Sequence, residues 1–130
     1  MLRPDTISII NQTKGKLPRL PFANIKDKIL GKKYELSIVF LEDKEIKKIN
    51  KKYRGKNKPT NVLSFSLAEN SGEILLAPDV IKKEAPKFDM NIKNFTGFLI
   101  IHGCLHLLGF DHGISMEKLE LKYLKKFKLD

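Results

Sequence analysis

The hydrophobic positions follow two periods that alternate along the chain. "ISII" at 7–10 is apolar and β-branched, which predicts a short strand. Residues 14–21, "KGKLPRLP", hold one glycine and two prolines and predict a loop. From residue 22 the period lengthens. Phe22, Ile25, Ile29 and Leu30 recur at helical spacing, and Gly31 marks a stop. "YELSIVFL", 34–41, alternates and then runs apolar, predicting a second strand. Asp43 stands where a cap would open the next helix, "KEIKKINKKY", with Ile46, Ile49 and Tyr53 as its apolar line. Its other face is lysine: Lys44, Lys47, Lys48, Lys51 and Lys52. After a charged loop, "RGKNKPT" at 54–60, "NVLSFSL" predicts a strand, "SG" at 71–72 a turn and "EILLA" a further strand, together a hairpin. Pro78 and Asp79 then open a short helix.

The segment "NIKNFTGFLIIHGCLHLL", 91–108, is apolar on most sides. Phe95, Leu99, His102 and His106 lie on one helical line, and Phe98, Ile101, Leu105 and Leu108 on a second beside it. A helix of that kind is buried. Ser115 can cap a last helix whose inner face is Met116, Leu119, Tyr123 and Phe127. Strands mixed with helices, and a hairpin among them, predict an α+β domain: a small mixed sheet of about four strands packed with about five helices.

Composition narrows the class. The chain has 130 residues, 42% hydrophobic and 31% charged. That is ordinary for one globular domain, taken here as 1–130, and argues against disorder. Charge is less ordinary: 25 Lys+Arg against 15 Asp+Glu gives +10. Such an excess favours a polyanionic partner, above all nucleic acid, and the lysine face would suit a phosphate track. Its plain alternative is a solvated surface. Cys104 is the single cysteine, so no internal disulfide can form. No segment approaches the ~20 apolar residues of a membrane span, and the N-terminal residues lack the apolar run of a signal peptide. A cytoplasmic protein without membrane association is expected.

The three histidines all fall within residues 102–112, "HGCLHLLGFDH". His102 and His106, four apart, project from one helix face. Gly109 can break the helix by adopting a left-handed turn and so return His112 toward them. Three imidazoles on one tetrahedral ion leave a fourth position for water, the mark of a catalytic zinc site. Zinc suits an all-imidazole set best, with nickel, copper and iron as competitors. Cys104, two residues from each helical histidine, should point away into the core. The spacing H-x-x-x-H-x-x-G-x-x-H is also that of metzincin proteases, but the glutamate base that follows their first histidine is Gly103 here. Peptide hydrolysis is therefore the weaker alternative.

"HGCLHLLGFDH" resembles the H-G-x-L-H-L-x-G-[YF]-D-H signature of the YbeY family, bacterial endoribonucleases of ribosomal RNA maturation. "NKKYRGKNKPTNVLSFS", 50–66, is similar to that family's N-x-x-[YF]-R-x-K-D-x-P-T-D-V-L-S-F-P segment, and "GEILLAPDV" to its G-[DE]-I-x-[IL] strand. Asn57 and Asn61 replace two aspartates of the pattern, and Ser66 its proline. The resemblance implies one zinc ion held by His102, His106 and His112, with water completing the set. It implies a functional Arg54, whose planar guanidinium suits a phosphate, a surface salt bridge being the ordinary alternative. It implies single-strand-specific cleavage in maturation of the 16S rRNA 3′ end and ribosome quality control, with small-subunit assembly proteins and GTPases as partners. Asp111, next to a ligand, is a candidate to orient an imidazole or take a proton, or else a plain turn residue. No carboxylate stands out as the general base, and the RNA 2′-OH is an alternative nucleophile. A different class also follows: a ribosome-assembly factor in which zinc chiefly stabilises the fold.

Overall fold

The computed structural model describes residues 6–130. Within them lie strands β1 (Ile7–Asn11), β2 (Glu35–Phe40), β3 (Val62–Ala68) and β4 (Ser71–Leu76). The helices are α1 (Phe22–Leu30), α2 (Asp43–Arg54), α3 (Pro78–Glu84), α4 (Ile92–Leu107) and α5 (Ile114–Lys126), with a 3₁₀ turn at Ala85–Phe88. The sheet order is β1-β2-β4-β3. β1 and β4 both run parallel to β2, with Ile9 opposite Ile38 and Ile38 opposite Ile74. β3 runs antiparallel to β4. The mixed sheet, the hairpin and the five helices agree with the sequence pattern.

Alternation along the strands divides the core in two. Leu36, Ile38, Phe40, Ile74 and Leu76 pack with Ile25 and Ile29 of α1 and with the apolar surface of α4 and α5. Val39, Leu63 and Leu75 face the other way, onto Ile46 of α2. Because β3 closes the sheet on one side, its outer edge is free to border a cleft.

Three local expectations are corrected. Asp43 is the first helical residue of α2 and not its cap. The Glu42 carbonyl accepts from Ile46 N–H at 3.2 Å, and no side chain caps that end. Ser115 likewise lies inside α5, because the helix already begins with Gly113 accepting from Glu117 N–H at 3.0 Å. "SG" is not the hairpin turn, which falls at residues 69–70; Ser71 and Gly72 belong to β4. A Cβ on Gly72 would collide with the Tyr34 hydroxyl, so that glycine serves close packing.

The core also holds a charge that the hydrophobic pattern does not mark. Lys26 is 1% exposed. Its ammonium donates to the carbonyls of Gly31 and Lys32 at 3.2 Å and of Tyr34 at 3.0 Å, and pairs with Asp27 at 2.7 Å. One cation thus holds together the turn from α1 into β2. Lys26→Met should lower stability by about 3 kcal/mol, because it removes the buried cation that these carbonyls and the Asp27 carboxylate share. The urea midpoint should fall with an unchanged slope.

Among the described residues no helix is long and apolar enough to cross a membrane.

Candidate metal centre

α4 is built to carry two histidines on a rigid support. Asn91 caps it, its side chain accepting from Asn94 N–H at 2.7 Å. Phe95, Leu99, Ile100, Ile101, Cys104 and Leu105 are buried along it. His102 and His106 emerge near its C-terminal end, where burial gives way to partial exposure. Gly103, between them, faces the sheet. A Cβ there would lie 2.8 Å from Ser64 Oγ and 2.9 Å from Ile74 Cδ1, so only glycine lets α4 come this close to β3 and β4.

The helix ends in a Schellman turn. Phe110 N–H donates to the Leu105 carbonyl at 3.1 Å and Gly109 N–H to the His106 carbonyl at 2.9 Å, with Gly109 at φ +100°. That turn has two consequences. It sets the Phe110 carbonyl 2.9 Å from His106 Nδ1, and it returns the chain so that the His112 ring lies 5.0 Å from His106 and 5.2 Å from His102. One ligand nitrogen from each of the three histidines can be chosen so that all lie within 4.8 Å of one another.

Tautomers follow from the partners. A carbonyl only accepts, so His106 Nδ1 carries a proton. His102 Nδ1 lies 2.7 Å from the Glu120 carboxylate, which also only accepts when ionised. In the neutral rings both Nε2 atoms then present lone pairs, and these two atoms are 3.0 Å apart. Two lone pairs facing at that distance repel unless a cation or a proton stands between them. Nitrogens each 2.0–2.1 Å from a tetrahedral ion would be roughly 3.4 Å apart, close to what is seen. The donor set therefore fits a transition ion. Burial, and after it the repulsive charge of His102, pushes the His106 pKa below its ordinary 6.5, which keeps the ring available as a ligand near neutrality. In metal-free protein the unfolded ring takes its proton first as pH falls. Stability contributed by this group should be lost as pH drops below about 6.5.

Glu120 is the residue that the sequence pattern missed. It is 8% exposed, on α5, spaced four residues from Met116 and from Leu124, both buried. A carboxylate in the middle of an apolar stripe was the available signal. By holding His102 Nδ1–H it aims Nε2 at the centre. Glu120→Gln should weaken metal affinity roughly 10- to 100-fold, read by competition with a chromogenic chelator.

The histidines open into a cleft of about 480 Å³ along the free edge of β3, facing Thr60, Ser64 and, from the last turn of α2, Arg54. Arg54 is exposed and, among the described residues, makes no ion pair or hydrogen bond, so the salt-bridge alternative has no partner there. Asp111 is exposed in the turn before His112 and makes no hydrogen bond to a histidine; its charge acts on His106, raising that pKa slightly against the larger effects. Asn61 donates to Glu84 at 2.8 Å, a contact that an aspartate would replace with repulsion. Cys104 points away from the centre into the core. It is fully buried, and that burial pushes its thiol up to about 12, which makes it inert.

This arrangement has known counterparts. Residues 9–129 match the family model described as Endoribonuclease YbeY. The chain belongs to the YbeY family. It is 36% identical to the endoribonuclease YbeY of Bdellovibrio bacteriovorus, over 88% of this chain and 87% of that protein. With the YbeY of Staphylococcus carnosus the identity is 37%, over 85% and 80%. The solution structure of TM1509 from Thermotoga maritima superposes with a TM-score of 0.65 at 29% identity, covering 93% of this chain and 88% of that one. The YbeY-like segments at 50–66 and 102–112 are the two that meet across the cleft, which β3, α2 and α4 bring together.

Proposed function

We propose that this chain is a zinc-dependent endoribonuclease that cuts single-stranded RNA in maturation of the 16S rRNA 3′ end. The observation that carries the proposal is the pair of facing Nε2 lone pairs, 3.0 Å apart, in the same cleft as the unpaired Arg54. His102, His106 and His112 would hold the ion, which when bound supplies a Lewis acid and a water acidified to near neutral pH. Glu120 and the Phe110 carbonyl hold two of the rings in the ligating tautomer. Arg54 binds the phosphate oxygens through its planar fork and offsets the charge that grows there during cleavage. Asp111, exposed in the turn that delivers His112, would take a proton from the nucleophile, either water or the RNA 2′-OH. The positive surface of α2 draws the RNA in. The chain works in the cytoplasm, alongside small-subunit assembly proteins and GTPases.

Proteolysis is disfavoured by packing. The place of the metzincin base is Gly103, turned onto Ser64 and Ile74 where no side chain fits. The scaffold reading, in which zinc chiefly stabilises a ribosome-assembly factor, is disfavoured by the position of the centre. His102 and His106 are half-buried and His112 is exposed, and the two apolar cores close without them.

Chelation tests the choice. With a structured ribosomal RNA fragment, metal-free protein is expected to keep its far-UV dichroism and bind without cutting. Binding should weaken steeply with salt. Unfolding on chelation, with RNA affinity lost in step, would establish the scaffold reading instead.

A further inference from the structure

A second groove of about 480 Å³ opens beside the histidine cleft. Its walls include Ile49, Lys52, Leu67 and Leu75, and it shares Tyr53 and Phe65 with the cleft. These two rings are therefore the partition between the metal centre and the groove. They meet edge to face, with centroids 5.3 Å apart and planes at 62°. Tyr53 is 61% exposed although it continues the apolar line of α2, and Leu67 on the groove wall is also 61% exposed. Tyr53 and Arg54, consecutive in the last turn of α2, both line the histidine cleft. Lys52 brings a third group, its ammonium 5.3 Å from the Tyr53 ring centre.

An exposed aromatic ring braced by a second one, flanked by cations and opening on an apolar slot, matches what an unpaired nucleobase needs. The ring faces give stacking, and the cations answer the phosphates on either side. We propose that Tyr53, backed by Phe65, is a stacking platform for the base adjoining the phosphate held at Arg54, and that the groove beyond it is a nucleobase subsite. The proposal rests on the RNA reading above and adds to it the device that selects substrate. A base can stack on Tyr53 only when it is free of its own strand partners. The cleft then admits single strands and bulged nucleotides and turns away regular duplex. Lys52 is exposed, and its long flexible stem lets the ammonium leave the ring face to the base and pair with the neighbouring phosphate.

The test is binding, measured by fluorescence anisotropy with 2′-O-methyl oligonucleotides of about ten nucleotides, within the site sizes usual for single-strand binders. Tyr53→Ala should weaken single-strand binding about tenfold, while Tyr53→Phe, which keeps the stacking face, should stay within roughly twofold of the wild type. A duplex of the same length should bind both proteins equally. An abasic site stepped along the single strand should weaken wild-type binding at one position, and at that position Tyr53→Ala should show no further loss. Wild-type affinity for the single strand in Tyr53→Ala, or equal weakening for single strand and duplex, would overturn the platform. If these differences hold but no metal-dependent cutting is found, the subsite stands and the nuclease reading falls. If the single strand does not bind even at low salt, both fall.

Discussion

His106→Ala is expected to give a folded protein that neither retains a transition ion nor cuts RNA. The substitution removes one of three ligands and the partner whose Nε2 faces His102 at 3.0 Å. Two imidazoles remaining, one of them on an exposed turn, hold a divalent ion poorly. Without it neither a Lewis acid nor an acidified water would be supplied, and cleavage should fall by roughly 10³-fold or more. Stability should change little, within about 1 kcal/mol, because His106 is only partly buried and its loss relieves the lone-pair repulsion in metal-free protein. Metal content by mass spectrometry, end-mapped cleavage and the urea midpoint give the three readouts. Cutting at the wild-type rate would exclude the metal from the chemistry.

Arg54→Ala carries the second large effect. Here metal content and stability should match the wild type, since the guanidinium is exposed and, among the described residues, unpaired. Cleavage should drop about 10²- to 10³-fold, the size usual for one lost donor to a transition-state anion. Arg54→Lys should recover only part of this. An ammonium restores the charge but not the planar fork. The separation matters: a histidine variant loses metal and rate together, whereas an arginine variant loses rate alone. If Arg54→Ala cleaves normally, the phosphate is held elsewhere along the cleft.

The centre was legible in unequal measure. His102, His106 and His112 could be read as a group because helical spacing, a glycine and a third histidine are local features. Glu120 carries only a weak local mark, its place between the apolar Met116 and Leu124. It is separated from His102 by a turn and most of a helix, and a glutamate on a surface helix is ordinarily solvated. Lys26 went unread for the same reason, since lysines are almost never fully buried unless paired. Tyr53 was placed on the apolar side of α2 by its spacing; the structure leaves it at the open edge of β3, where the apolar cover runs out. The caps at Asp43 and Ser115 failed because each helix begins one or two residues earlier, on backbone carbonyls that carry no sequence signature.

The sequence by itself determined the order and kind of the elements, the burial of α4, the basic surface and the clustering of three imidazoles. These depend on period, composition and short-range geometry, which neighbouring residues decide among themselves. Only the tertiary structure decided which imidazole nitrogens carry protons, that Arg54 meets the histidines across the free edge of β3, and that Gly103 leaves no room for a base. Those are relations between segments far apart in the chain. They are set by the packing of α4 and α2 on opposite faces of the sheet, and hydrophobic pattern specifies that a face is buried without specifying what it meets.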